Sequence, residues 1–222
     1  MSTPTWKPAT SLIPSLPSDA NTVVNGMCFS ADVTYLAISC DNGVQVWDLL
    51  DNAPRYLGQS SKASGKALCV TSFKTTSGFV SGHDDGAICV ILVNRTHEEP
   101  IRTKLMEGFR CEAVISMTLF EDQLLAAITS SSVRVYEVGL LASVRLVGTA
   151  PFPCAKFNKS LTMDPTPRAI HWLVSQQLAV TYSDVIVIWG VEVGGKHPAR
   201  FKMVDDVAVI GSVYERFIKV FV

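Results

Sequence analysis

The sequence predicts an all-β chain assembled from one four-stranded module repeated in tandem, and three observations carry the prediction. A pattern of strand, turn, strand, tight turn and strand recurs four times within 222 residues. The bulky residue closing each third strand falls at Trp47, Ile91, Tyr136 and Trp189, at spacings of 44, 45 and 53. A propeller blade takes about 40–45 residues. A basic residue then opens a fourth alternating run at Arg55, Arg102, Arg145 and Arg200, which lie 8, 11, 9 and 11 residues after the bulky one. Four short strands per unit with turn residues between them is the pattern of a sheet-bladed propeller.

In the first unit, Val24 to Phe29 alternates, Ser30-Ala31-Asp32 turns, and Tyr35 to Ser39 forms a second strand. Asp41-Asn42-Gly43 supplies a tight turn into Val44 to Asp48. The second unit runs Ala67–Phe73, Gly78–Gly82, a turn at Asp84-Asp85-Gly86, then Ala87–Leu92. The third runs Val114–Phe120, a turn at Glu121-Asp122, Gln123–Ile128, a turn at Ser130–Ser132, then Val133–Glu137. The fourth runs Ala169–Leu173, Ser175–Gln177, Leu178–Tyr182, a turn at Ser183-Asp184, then Val185–Trp189. The four blades are therefore expected at about 23–60, 66–106, 113–149 and 167–203. Residues 1–22 form an N-terminal extension that can supply a closing strand, and 204–222 form a partial fifth blade or closing strand.

The string Cys28-Phe-Ser-Ala-Asp, Tyr35-Leu-Ala-Ile-Ser and Asp41-Asn-Gly-Val-Gln-Val-Trp47-Asp48 resembles a WD-repeat blade. Trp47-Asp48 matches the dipeptide of that family, and Asp41 and Asp85 each sit six residues before the bulky residue. Ser130 and Ser183 hold the same place in the later units. The chain departs from the family pattern in two ways. No unit has a Gly-His dipeptide before its first strand, and three of four lack Trp-Asp, so the resemblance is to a divergent member. Rings of that family usually hold seven blades. Four units imply a fragment or shortened product of a longer ring, a four- or five-unit ring, or an open arc completed by another chain. An apolar C-terminal strand ending at Val222 adds self-association through exposed blade edges as an expectation.

Composition narrows the function. Hydrophobic residues make up 48% and charged residues 18%, so the chain is no candidate for disorder. Nineteen basic against twenty acidic residues give no field to hold a polyanion, which argues against nucleic acid as partner. The longest stretch free of Asp, Glu, Lys and Arg is 15 residues, Ala169–Ser183. That is short of the ~20 a membrane helix needs, so no membrane span is expected. Six cysteines 12 to 43 residues apart, with no C-x-x-C, suit buried thiols in a reducing compartment. The expected location is cytoplasmic or nuclear.

Enzyme signatures are thin. His83-Asp84-Asp85 resembles a ligand set but falls in a repeat turn, His97-Glu98-Glu99 reads as a solvated loop, and Asp205-Asp206 would point to opposite faces of a strand. The chain has neither a G-x-S-x-G elbow nor a phosphate loop. No catalytic residue, metal site or cofactor is implied. The expected function is a non-catalytic scaffold that binds a protein or peptide through one face of the propeller. Position within the resemblance puts Asp41, Asn42, Asp84, Asp85, Ser131 and Asp184 on that face, with Lys62, Phe109, Arg110 and Lys159 from the inter-blade connections. The alternatives are a hydrolase or lyase with a channel site, for which His171 is the one candidate on the innermost strands, and a phosphoinositide-binding propeller. The latter carries Phe-Arg-Arg-Gly where this chain has Phe109-Arg110-Cys111-Glu112.

Overall fold

The computed structural model describes residues 23–50, 54–60, 65–96, 99–106, 112–138, 144–150, 166–182, 185–194 and 198–208. Sixteen strands form four antiparallel meanders in chain order. Blade 1 holds β1 (Val24–Phe29), β2 (Tyr35–Cys40), β3 (Gly43–Asp48) and β4 (Arg55–Gln59). Blade 2 holds β5 (Ala67–Ser72), β6 (Gly78–His83), β7 (Ile88–Val93) and β8 (Ile101–Met106). Blade 3 holds β9 (Val114–Phe120), β10 (Leu124–Thr129), β11 (Val133–Val138) and β12 (Val144–Ala150). Blade 4 holds β13 (Ala169–Trp172), β14 (Gln177–Thr181), β15 (Val185–Glu192) and β16 (Arg200–Ala208), with a single 3-10 turn at Val174–Gln176. The first strands pack side by side, β1 on β5, β5 on β9 and β9 on β13, so the blades follow one another around a common inner edge. The described residues form a β-propeller arrangement of four blades. β16 continues to Ala208, five residues past the expected end of blade 4 at 203, so residues 204–208 belong to that blade. Residues 1–22 and 209–222 lie outside the described residues, and with them the expected closing strand and fifth blade.

The repeating residues occupy repeating positions. Directly opposed residues in an antiparallel sheet share a face. Phe29, Leu36, Trp47 and Tyr56 therefore form one row across blade 1. Ser72, Phe79, Ile91 and Thr103 form the same row in blade 2, and Leu119, Leu125, Tyr136 and Leu146 form it in blade 3. Trp172, Leu178 and Trp189 follow in blade 4. This row lies on the leading face, turned toward the preceding blade. Ile91 packs among Tyr35, Ala37, Val44 and Val46 of blade 1, and Tyr136 packs among Val80, Ile88 and Val90 of blade 2. Trp189 packs among Ala126, Val133 and Val135 of blade 3. Among the described residues three core clusters are thus inter-blade layers, each joining one blade's trailing face to the next one's leading face, and a fourth gathers Leu36, Ile38, Cys40 and Trp47 on the leading face of blade 1. Among the described residues the buried indole Nε1 atoms of Trp47 and Trp189 find no hydrogen-bond partner, a cost of about 1–3 kcal/mol each that apolar contact has to offset.

Pairing also explains the recurring arginine. Arg55 lies opposite Asp48, Arg145 opposite Glu137 and Arg200 opposite Glu192. Arg145 closes on Glu137 at 2.7 Å. In blade 2 the residue opposite Arg102 is Leu92, so opposite charges stand in register in three of the four described blades. A register shift follows in β4, β12 and β16, beside Trp47, Tyr136 and Trp189.

Candidate binding face

The tight turns between second and third strands lie against the segments leading into the first strands, and together they build one face. In blade 1 the Asp41-Asn42 turn ends at Gly43, whose φ of 111° lies in the left-handed region that favours glycine. Asp41 accepts from Asn25 Nδ2 at 3.2 Å and pairs with Lys66 Nζ at 3.0 Å. Lys66 stands in the lead-in to β5, so this pair bridges two blades, as does the Asn25 Nδ2 bond to the Ala67 carbonyl at 2.8 Å. The Lys66 ammonium, and Asn25 after it, hold the Asp41 carboxyl below its ordinary value. The pair is exposed and orients more than it stabilises. Asn42 receives a hydrogen bond from Gln59 Nε2 on its carbonyl.

Blade 2 ties its turn to its lead-in more tightly. Asp85 takes the Ala87 amide at 2.9 Å and the Gly65 amide at 3.2 Å, one on each carboxylate oxygen. Asp84 donates its amide to the Lys66 carbonyl at 3.0 Å. His83 is buried, with Nε2 at 2.9 Å from Ser81 Oγ and Nδ1 at 2.9 Å from the Gly65 carbonyl. Its ring is therefore committed inward while the two aspartates face solvent, and the three do not converge on one point. Among the described residues no group of three His, Cys, Asp or Glu side chains could hold a metal ion. The Asp84 carboxylate is exposed and has no partner among the described residues, and it packs over Gly65, where a Cβ would lie 1.9 Å from Asp84 Oδ1.

Blade 3 uses a carboxylate from the lead-in. Glu112 accepts from Ser131 Oγ at 2.6 Å and from Thr129 Oγ1, with Arg134 Nη2 at 3.7 Å. The Ser131 and Thr129 hydroxyls, with the Arg134 charge behind them, hold the Glu112 carboxyl below its ordinary value. Thr129 closes the turn with its amide on the Ser132 carbonyl at 2.9 Å.

Of the expected face residues, Asp41, Asn42, Asp84, Asp85 and Ser131 occupy these turns. Asp184, Lys62, Phe109, Arg110 and Lys159 lie outside the described residues. Sequence reading missed Asn25, Lys66 and Glu112. Their partners lie 16, 25 and 19 residues away, beyond any local pattern. It also missed the Ser81–His83 contact, although two residues apart on a strand share a face. The opposite face carries its own inter-blade bonds. Asp122 accepts the Lys74 and Thr75 amides at 2.6 and 2.7 Å and Thr75 Oγ1 at 2.6 Å. Arg95 Nε stands 3.1 Å from the buried Asp48 of the Trp-Asp pair.

No family model matches the chain, and no curated protein matches its sequence. Solved structures share the fold. A protein from Lactobacillus plantarum superposes with a TM-score of 0.64 at 15% identity, over 86% of this chain and 57% of that one. The β-propeller domain of Myceliophteria thermophila Cps50 (Swd1) superposes with a TM-score of 0.58 at 12% identity, over 82% of this chain and 58% of that one. The chain thus spans less than three-fifths of either structure. At these identities the likeness shows the β-propeller fold. Among the described residues no helix is long and apolar enough to cross a membrane.

Proposed function

We propose that the chain is a non-catalytic interaction scaffold of the WD-repeat type that binds a polar protein or peptide segment on the face formed by the second-to-third-strand turns. The observation that carries the reading is the commitment of the face's carboxylates. Asp41, Asp85 and Glu112 are spent on holding turns to lead-ins, which makes the face rigid. Asp84 is left exposed beside Lys66. An exposed acid whose backbone is held to that of a lysine suits a partner that offers hydrogen-bond donors and a complementary charge. The innermost strands support a binding role over a catalytic one. His171 is their one imidazole and they hold no carboxylate. His171 lies on blade 4's trailing face opposite Ala179, and burial pushes the Cys69 thiol up to about 12.

The test is a peptide array probed with the intact chain and with Asp84→Lys. The reading expects a set of peptides retained by the wild type and lost by Asp84→Lys, while Lys74→Glu on the opposite face keeps them. Equal retention by all three chains would remove this face from consideration.

A further inference from the structure

Among the described residues, the leading face of blade 1 and the trailing face of blade 4 present the two halves of an interface that the four blades build three times between them. On the trailing side of each internal interface stand two buried third-strand residues, Val44 and Val46, Ile88 and Val90, or Val133 and Val135. In blades 1 and 3 the register shift of the outer strand adds one more apolar residue on that side. Leu57 joins the layer between blades 1 and 2, and Val147 joins the layer between blades 3 and 4. Blade 4 repeats the arrangement. Ile186 and Ile188 hold the third-strand positions and are only partly buried. The shift beside Trp189 places Val204 where blade 3 has Val147, and Val204 is 52% exposed against 3%. The leading half is open on blade 1. Met27 and Phe29 are 65% and 49% exposed, whereas their register equivalents in blade 3, Met117 and Leu119, are 8% and 9% exposed under blade 2. Leu36, Ile38 and Trp47 of that same face are buried, so its open part is the inner strand.

We propose that a second copy of this chain docks head to tail, setting β1 of one copy on the trailing face of blade 4 of the other. Internally, β5, β9 and β13 pack in this way on β2, β6 and β10 of the blade before. The docked β1 would continue that series on β14. The two contacting surfaces differ, so the contact is heterologous, and it forms a closed dimer if two such contacts meet and longer assemblies if they do not.

The test uses the intact chain in analytical ultracentrifugation, with Met27→Lys and Val204→Lys, both at exposed positions, and Ala179→Lys as a second trailing-face variant. Far-UV circular dichroism verifies that each variant keeps its sheet content. The wild type is expected at twice the 24.1 kDa chain mass or more, and each variant alone at the single-chain mass. An equal mixture of Met27→Lys with Val204→Lys, each retaining the half the other lacks, should regain a species at twice the chain mass and stop there. A wild type that stays at single-chain mass would overturn the proposal, showing these faces closed by the chain's own residues or kept for a different protein. Association that survives all three substitutions, or a mixture that fails to pair, would overturn it equally.

Discussion

Asp122 gives the sharpest energetic test of how neighbouring blades are held together. It sits in the β9–β10 hairpin after Glu121, with φ values of 49° and 56° at the two positions, and reaches across to blade 2. Two positive φ values make a turn whose twist suits the flanking strands, and aspartate tolerates that region better than most residues. Its carboxylate accepts three bonds from Lys74 and Thr75, at 2.6, 2.7 and 2.6 Å. Bonds to a charged acceptor contribute about 1.5–3 kcal/mol each when buried, but Lys74 and Thr75 are exposed and water can replace part of the loss. Adding about 1 kcal/mol for an alanine held in the left-handed region, Asp122→Ala should cost about 2–3 kcal/mol. At a urea dependence of about 2–3 kcal/mol per molar, the midpoint should fall by about 1 M. Asp122→Asn keeps the backbone preference and one acceptor oxygen, so it should lose about half as much. Urea unfolding followed by circular dichroism reads both. An Asp122→Ala midpoint within about 0.2 M of the wild type would refute the assigned clamp.

Three further outcomes follow from local geometry. A Cβ on Gly82 would lie 2.5 Å from Val114 Cγ1 and 2.9 Å from Cys69 Sγ, so Gly82→Ala wedges blades 2 and 3 apart. It should cost about 1–3 kcal/mol in thermal unfolding, and an unchanged melting temperature would deny that close approach. Val33 is a β-branched residue at φ 59°, exposed in the β1–β2 turn, so Val33→Asn should stabilise by about 1 kcal/mol, read as a raised urea midpoint. The carboxyls of Asp32, Asp41 and Glu112 are held below their ordinary values, by Ser30 and Thr34, by Lys66 and Asn25, and by Ser131 and Thr129. Lowered values favour the ionised forms in the fold, so their contribution is complete at neutral pH. It is lost as the pH falls below about 4 and through the lowered values. Melting temperatures should hold from pH 7 to about 5 and then drop, and Glu112→Gln should soften the drop. A rise in stability on acidification from pH 5 to 3 would contradict the assignment.

The strands and their order were legible because period-two alternation and turn residues are local signals. The register could be anticipated in part. The bulky residue at Trp47, Ile91, Tyr136 and Trp189 marks the leading face in every blade, and the arginine after it marks the cross-strand acid in three. The end of blade 4 was less legible, because β16 runs on through Asp205-Asp206 to Ala208 with no local signal for its extent. Those residues nonetheless pair with Ile188 and Val187 on an outermost strand, where charge is tolerated. The site was less legible than the fold. Asp41 and Asp85 announce themselves as turn formers, but what they hold depends on Lys66 and Gly65, which tertiary packing brings to them. Asp122 read as a hairpin residue, and nothing within 47 residues of it in the chain revealed Lys74 or Thr75 as its partners.

The measurement that bears most directly on consecutive blade stacking is a set of inter-blade nuclear Overhauser contacts in the intact chain. The account predicts contacts between the Phe120 and Trp172 rings, whose centroids lie 5.4 Å apart. It also predicts them from the Asn25 side-chain amide to Ala67, and from Asp122 to the Thr75 amide. Contacts joining β5 directly to β13, with these three missing, would contradict it.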